Sequence, residues 1–287
     1  GHGHPPPVHC GYVISLIPDK NVFFIFIFIF LLFFFFFFFF ILLIILLAAW
    51  EWARLSGFIT QAARVSYALL ISMTAFLALH YVNDYWLYFS LFFAVIWWLI
   101  AFLLVMKFPK GKSLWSSSAT RLLLGVIILL PMLFGLMYLK DINNPALSNQ
   151  LLIWLMLLVW GADSGAYFAG KRFGKRKLAE KVSPKKTWEG VLGGMLTSML
   201  ITVIVLNGLI DINVLTWWQW LAVMLMSVIV VLISVVGDLF ESLLKRSEQL
   251  KDSSQLLPGH GGVMDRIDSL VAAVPFFVIG VSLVGII

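Results

Sequence analysis

The chain has 287 residues, of which 62% are hydrophobic and 12% are charged. A soluble domain of this size carries about 25% charged residues, so the composition excludes a water-soluble enzyme and predicts an all-α polytopic membrane protein. The net charge of +6 indicates basic cytoplasmic loops and no nucleic-acid partner, and the single cysteine excludes an internal disulfide framework.

The first 21 residues are polar and rich in proline and histidine, which predicts a disordered N-terminal tail. Three histidines and Cys10 could bind a metal there, but a Pro-rich tail supplies no second shell of supporting contacts. An apolar run follows from Val22 to Trp50 and contains eight consecutive phenylalanines, Phe33–Phe40. This run predicts a first membrane-spanning helix that faces lipid.

The rest of the chain contains further apolar runs that are long enough to cross a bilayer. They are Val65–Val82, Tyr85–Met106, Leu122–Leu139, Leu151–Gly170, Trp188–Ile210, Trp217–Leu244 and Ser269–Ile287. We therefore expect about eight or nine spanning helices. Residues 22–150 would form the N-terminal helices, and residues 151–287 would form a catalytic membrane region with cytoplasmic loops.

Lysine and arginine are concentrated in alternate loops between these runs. Loops 51–64, 107–121, 171–187 and 245–268 are basic, whereas the loops between them are nearly free of Lys and Arg. By the positive-inside rule the basic loops are cytoplasmic. The polar motifs described next all fall on that side, which predicts a polar cavity facing the cytoplasm.

The first motif is the segment Trp160-Gly-Ala-Asp-Ser-Gly-Ala-Tyr167. Asp163 lies in the last turns of a predicted span, among small residues that allow close approach of a neighbouring helix. An aspartate at this depth must face a partner or water. Asp163 is therefore either a site residue or a structural hydrogen-bond acceptor.

The second motif is Ser183-Pro-Lys-Lys-Thr187, which immediately precedes a predicted helix. Lysine side chains and free N–H groups at a helix start favour phosphate binding, although the spacing of a P-loop is absent. The candidate phosphate contacts are Ser183, Lys185, Lys186 and Thr187. The basic run before them could also be a topology signal or an anionic-lipid contact.

The third motif extends from Gly237 to Asp268, where charged residues interrupt an otherwise apolar region. Asp238, Ser242 and Lys245 share one helix face, with Glu241 beside them. Ionisable groups at a membrane boundary are costly unless they are paired, metal-bound or hydrated, so this stretch is the default functional site.

A glycine-rich turn, Pro258-Gly-His-Gly-Gly262, leads into Asp265 and Asp268 at the start of the last helix. These aspartates are three positions apart and share a face, so they can converge with Asp238. Converging carboxylates without a cysteine suit Mg²⁺, and Mg²⁺ beside lysines is typical of phosphoryl and nucleotidyl transfer. His260 could be an acid, a ligand or a donor that braces the loop.

These motifs together resemble the bacterial phosphatidate cytidylyltransferases, also called CDP-diglyceride synthases. The fixed positions of the family signature are Ser242, Lys245, Arg246, Lys251, Asp252, Pro258–Gly262, Asp265, Arg266 and Asp268. Further segments that look like the family are Gly237-Asp238, Asp163–Tyr167, Ser183–Gly190 and Ala48-Ala-Trp-Glu-Trp52. Residues 1–47 depart from the family, since they lack its basic start and its two clear spans.

The resemblance implies that CTP and phosphatidic acid react to CDP-diacylglycerol and pyrophosphate at a two-metal site with Mg²⁺ and K⁺ as the second ion. The implied metal ligands are Asp238 and Asp265, supported by Asp268 and Asp163. The implied catalytic residues are Asp238, Asp265, Lys245, Ser242 and His260. The implied substrate-binding residues are Lys185, Lys186, Thr187, Ser183, Arg246, Lys251 and Arg266.

The resemblance also implies a homodimer in the bacterial inner membrane, with the active site open to the cytoplasm and to the bilayer. Two alternatives remain on the sequence alone. One is a membrane transporter with an intramembrane acidic site, although no inverted repeat is visible. The other is a different CTP-using lipid enzyme, such as a polyprenol kinase, which would release CDP in place of pyrophosphate.

Overall fold

A computed structural model describes residues 20–81, 83–110, 115–208, 215–259 and 261–287, with side chains described from Phe36 onward. Residues 1–19 of the predicted tail, with its three histidines and Cys10, lie outside the described residues. By its internal contacts the chain divides into Gly1–Phe40 and Ile41–Ile287. The packing and the site described below belong to the second unit.

The described residues contain eight helices that are each long and apolar enough to cross a membrane. They are α1 (Lys20–Leu55), α2 (Gln61–Tyr81), α3 (Asp84–Lys107), α4 (Ser118–Lys140), α5 (Pro145–Phe173), α6 (Trp188–Gly208), α7 (Trp217–Ser247) and α8 (Met264–Val284). Each predicted span corresponds to one of these helices. The prediction of an all-α polytopic membrane protein is confirmed.

The helix ends follow from local capping. The side chain of Asn144 accepts hydrogen bonds from the first N–H groups of α5, and Pro145 occupies the first turn, so α5 begins before the predicted Leu151. Thr216 and Gln219 form a reciprocal capping box at the start of α7. Both helices continue through the polar residues near their C-terminal ends, so Asp163 and Asp238 lie within regular helix.

The loop 171–187 contains a short antiparallel hairpin that the sequence reasoning does not predict. Strand β1 (Lys177–Ala179) pairs with β2 (Ser183–Thr187), with Lys177 opposite Thr187. The Glu189 carboxylate accepts hydrogen bonds from the backbone N–H groups of Lys175 and Arg176 at the base of the hairpin. Because β2 leads directly into α6, the hairpin fixes where Lys185 and Lys186 lie.

Helices α7 and α8 approach closely at the depth of the polar motifs. A Cβ atom on Gly237 would lie 2.3 Å from the backbone oxygen of Asp268, so only glycine allows this spacing. Both helices also bury large aromatic side chains against other helices: Phe240 contacts Trp97 and Trp98 of α3, and Phe277 contacts Trp154 of α5. The close approach places Asp238, the next residue of α7, beside Asp268.

Helices α5 and α6 also approach through small residues, as predicted around Asp163. A Cβ on Gly165 would lie 2.1 Å from the hydroxyl oxygen of Thr197. Helices α2 and α3, in contrast, expose many large apolar side chains. Such an outer surface suits contact with lipid.

A buried arginine joins the ends of three helices near the site. Arg121 at the start of α4 is 4% exposed, donates to the backbone oxygens of Leu55 and Trp115, and forms an ion pair with Glu248 after α7. This contact anchors the polar end of α7 to α1 and α4.

Candidate active site

A cavity of about 590 Å³ lies where α5, β2, α6, α7 and α8 meet. Residues from four separate stretches of the sequence line it: 160–171, 185–191, 235–238 and 265–268. The site residues predicted from sequence that line it are Asp163, Lys185, Lys186, Thr187, Asp238, Asp265, Arg266 and Asp268. Apolar side chains, including Trp160, Val191 and Val235, form the rest of the wall.

An ion pair between β2 and α7 lies in this cavity. Lys186 Nζ lies 2.7 Å from Asp238 Oδ2, and both side chains remain partly exposed. Asp163 on α5 and Asp268 on α8 each interact electrostatically with both members of the pair. One lysine therefore stands among three aspartates that come from three different helices.

A second, more buried cluster lies behind the cavity. Lys245 Nζ contacts Glu241 Oε2 at 2.5 Å and Asp265 Oδ1 at 2.6 Å, and the lysine side chain is only 12% exposed. The second oxygen of Glu241, Oε1, is buried and has no hydrogen-bond partner among the described residues. Lys245 thus bridges α7 and α8 and does not line the cavity itself.

Asp265 is held in place through both carboxylate oxygens. Oδ1 contacts Lys245, whereas Oδ2 accepts hydrogen bonds from the backbone N–H groups of Ser253 and Gly262 at 3.0 and 2.8 Å and from the Ser253 hydroxyl at 2.8 Å. These four contacts fix the direction of the carboxylate. Asp265 therefore enters the cavity wall in a single orientation.

The glycine-rich turn has the backbone that its sequence demands. Gly259 and Gly261 have φ angles of 73° and 82°, in the left-handed region that favours glycine. A Cβ on Gly262 would lie 2.1 Å from the Ser253 hydroxyl oxygen. The turn can therefore fold tightly over Asp265. His260, the histidine of the turn, lies outside the described residues.

Other predicted site residues lie off the cavity wall. Ser242 donates to Asp238 Oδ1 at 3.3 Å, and Arg246 Nε donates to the backbone oxygen of Val182 in the hairpin at 3.5 Å. Ser183 begins β2, and Lys251 is exposed in the loop after α7. Ser242 and Arg246 orient cavity elements in this structure.

Thr187 lines the cavity but is itself largely buried. Its hydroxyl oxygen accepts the backbone N–H of Gly190 at 3.1 Å, and the residue is 7% exposed. It therefore shapes the start of α6 immediately behind the two lysines.

The sequence reasoning missed one polar residue of this region, Glu51 in α1. Its side chain is fully buried and accepts four hydrogen bonds from the segment that carries Asp265. A signal for it exists in the sequence, because an acid at the end of an apolar run is costly unless it has partners.

The chemistry of the donor set fits a hard cation. The described residues contain no group of three His, Cys, Asp or Glu side chains already arranged to hold a metal ion. Three carboxylates nevertheless lie in the inner part of the cavity, where Asp163, Asp238 and Asp268 all interact electrostatically around Lys186. Such an excess of carboxylate oxygen is what Mg²⁺ binds in proteins.

A family model described as the cytidylyltransferase family matches residues 20–284. The chain belongs to this family. The match includes every described helix and all residues of the cavity.

Curated relatives agree with this assignment. A phosphatidate cytidylyltransferase from Pseudomonas aeruginosa is 47% identical over 80% of this chain and 81% of its own length. One from Haemophilus influenzae is 42% identical over 79% of this chain and 83% of its own length. A third, from Rickettsia typhi, is 35% identical over 64% of this chain and 82% of its own length.

Proposed function

We propose that this cytidylyltransferase-family protein transfers the cytidylyl group of CTP to phosphatidic acid, giving CDP-diacylglycerol and pyrophosphate. The observation that carries the proposal is the cavity in which Lys185 and Lys186 face three aspartates at the polar ends of membrane-spanning helices. The names of the curated relatives point to the same substrates.

The reaction needs positioned phosphates more than it needs a general base. A phosphate oxygen of phosphatidic acid attacks the α-phosphorus of CTP, and the bond from that phosphorus to the oxygen of the β-phosphate breaks. The nucleophile is already ionised, so no side chain has to remove a proton from it. Catalysis then depends on positioning and on compensating the charge of the phosphates.

The cationic side chains at the cavity supply that compensation. Lys185, Lys186 and Arg266 line it and would hold the phosphates of CTP and of the lipid. The apolar wall from Trp160 to Val235 suits the start of the acyl chains. Lys245 and Arg246 do not line the cavity. Lys245 orients Asp265, and Arg246 contacts the backbone of the hairpin.

We propose Mg²⁺ as the cofactor, with K⁺ as a second ion. Asp163, Asp238, Asp265 and Asp268 would hold the ions. Bound Mg²⁺ would neutralise phosphate oxygens while the nucleophile attacks and pyrophosphate leaves. Asp238 and Asp265 are each paired with a lysine, and these ion pairs orient the carboxylates.

We further propose a bacterial inner-membrane location, with the cavity facing the cytoplasm where CTP is found. The basic loops on that side of the predicted topology support this orientation.

From the family resemblance we propose a homodimer, which light scattering of the detergent-solubilised protein would test. We also propose that residues 22–150 form the N-terminal helices and that residues 151–287 form the catalytic region. Expressing the two parts separately and measuring whether each folds would test this division.

The direct test is product analysis. Purified protein in detergent is incubated with phosphatidic acid, CTP and Mg²⁺, and the lipid and aqueous products are separated. We expect a cytidine-containing lipid and an equal amount of pyrophosphate. Release of CDP in place of pyrophosphate would indicate a kinase, and the absence of any nucleotide-containing lipid would contradict the proposal.

A further inference from the structure

Glu51 lies almost at the end of α1, about 200 positions before the residues it contacts. Oε1 accepts the Ser254 hydroxyl at 2.5 Å and the backbone N–H of Val263 at 2.9 Å. Oε2 accepts the Ser253 hydroxyl at 3.0 Å and the backbone N–H of Met264 at 2.6 Å. Each oxygen therefore receives one hydroxyl and one backbone donor, and the residue is fully buried.

Two of these donors belong to the start of α8. Helix α8 begins after Val263, which has helical backbone angles and makes no side-chain capping contact. The first N–H groups of a helix need acceptors, and a carboxylate there also interacts favourably with the helix dipole. Glu51 thus caps α8 from a distant helix, one turn before the cavity residue Asp268.

Ser253 connects Glu51 to Asp265. Its hydroxyl lies 3.0 Å from Glu51 Oε2 and 2.8 Å from Asp265 Oδ2, and its single proton can serve only one of them at a time. Arg54, one turn after Glu51, donates to the Ser253 backbone oxygen at 2.9 Å. The end of α1 therefore holds Ser253 through both its side chain and its backbone.

We propose that Glu51 is a positioning residue for the transfer reaction: its buried carboxylate holds the segment from Ser253 to Met264 so that Asp265 enters the cavity in one orientation. The inference rests on the proposed function for its consequence in catalysis. The contacts that carry it are independent of that function. It gives α1, which does not line the cavity, a role in the geometry of the site.

The decisive variant is Glu51→Gln, which keeps size and shape. In glutamine one oxygen becomes an NH₂ group, which must then face the backbone N–H of either Val263 or Met264. Rotating a hydroxyl cannot relieve this donor–donor contact, and flipping the amide only moves it to the other N–H. The start of α8 must shift or lose a hydrogen bond.

The experiment compares full-length Glu51→Gln with wild type and with Asp141→Asn, an equivalent change at an exposed carboxylate after α4. We expect kcat to fall roughly 10- to 100-fold in Glu51→Gln, which is the loss typical of residues that orient a metal-binding side chain through hydrogen bonds. The KM for CTP should change less than kcat, because Lys185 and Lys186 of β2 are held separately from the start of α8. Asp141→Asn should match wild type in both constants.

Hydrogen exchange gives a readout that does not depend on activity. The amides of Val263 and Met264 should exchange faster in Glu51→Gln than in wild type or Asp141→Asn, while peptides from α2 and α3 stay unchanged. Unchanged exchange at these amides together with wild-type kcat would overturn the inference. If wild type makes no nucleotide-containing lipid, the proposed function fails and the exchange result alone decides whether Glu51 positions the segment.

A milder variant covers the case in which Glu51→Gln does not fold. Ser253→Ala removes the hydroxyl shared by Glu51 and Asp265 but keeps the backbone N–H that Asp265 accepts. We expect a stable protein whose kcat falls by a larger factor than its KM for CTP changes. A folded Ser253→Ala variant with the kcat of wild type would overturn the inference.

Discussion

Lys186 on the hairpin and Asp238 on α7 form an ion pair, with 2.7 Å between Nζ and Oδ2. The pair joins an extra-helical element to the helix core inside the cavity. Asp163 and Asp268 lie close enough to interact electrostatically with both members of the pair. The pair is therefore the point at which the three sequence motifs become one site.

The first prediction concerns this pair. Lys186→Met should lower kcat/KM strongly, because it leaves Asp238 uncompensated beside two other aspartates. Asp238→Asn should lower it as well. In a double-mutant cycle the two losses should not add, and the coupling energy should be about 0.5–3 kcal/mol, as for residues in direct contact.

The measurement is kcat/KM for wild type, both single variants and the double variant. Lys181→Met serves as the matched control, since Lys181 is exposed in the hairpin turn and does not line the cavity. Losses that add fully in the double variant would mean that the ion pair has no role in the reaction.

The second prediction is that Asp265→Asn abolishes turnover while the protein still inserts and purifies. Asparagine keeps the shape, but it can present only one acceptor oxygen, while the carboxylate accepts from Lys245 on one oxygen and from two N–H groups on the other. We expect kcat to fall by at least roughly 100-fold. Size-exclusion chromatography monitors folding, and near-normal turnover would rule out a role for Asp265 in holding a cation.

The third prediction separates substrate binding from chemistry. Lys185 lines the cavity beside Lys186 and is exposed to it. Lys185→Ala should mainly raise the KM for an anionic substrate, measured separately for CTP and for phosphatidic acid in mixed micelles. A fall in kcat with both KM values unchanged would instead assign Lys185 to the transition state.

The fourth prediction tests the close approach of α7 and α8. Gly237→Ala places a Cβ 2.3 Å from a backbone oxygen that cannot rotate away, so the helices must separate. We expect a loss of about 1–3 kcal/mol in stability and a lower kcat, since Asp238 and Asp268 move apart.

Gly208→Ala is the control for this change. Among the residues that the structure describes, none lies within 4 Å of a Cβ at Gly208, which ends α6, so thermal unfolding in detergent should stay the same or rise slightly. Equal unfolding temperatures for the two variants would show that the spacing at Gly237 tolerates a methyl group.

Much of this architecture can be predicted from local sequence. Apolar runs longer than the bilayer requires define the eight helices, and Asp265 and Asp268 share a face because they are three residues apart on a helix. The position of the lysines before α6 follows in the same way from the motif Ser183–Thr187.

Local sequence patterns do not predict contacts between distant segments. They also do not predict secondary structure in highly charged segments that lack a periodic apolar pattern. The β1–β2 hairpin lies in a run of charged residues without the alternation that marks a strand. The family resemblance implies a catalytic role for Lys245, yet Glu241 and Asp265 hold it behind the cavity. Glu51 meets Ser253 only when the end of α1 meets the loop between α7 and α8, and no spacing rule links residues so far apart.

The central claim is tested most directly by following the phosphorus atoms of CTP. Two samples of CTP, labelled at the α- or the γ-phosphorus, are incubated with phosphatidic acid, Mg²⁺ and either wild type or Asp238→Asn. For wild type we expect the α-label in the lipid fraction and the γ-label in pyrophosphate, with both signals lost in Asp238→Asn. Finding the γ-label in the lipid fraction would contradict the account. A lipid fraction of wild type that contains no label from either sample would contradict it as well.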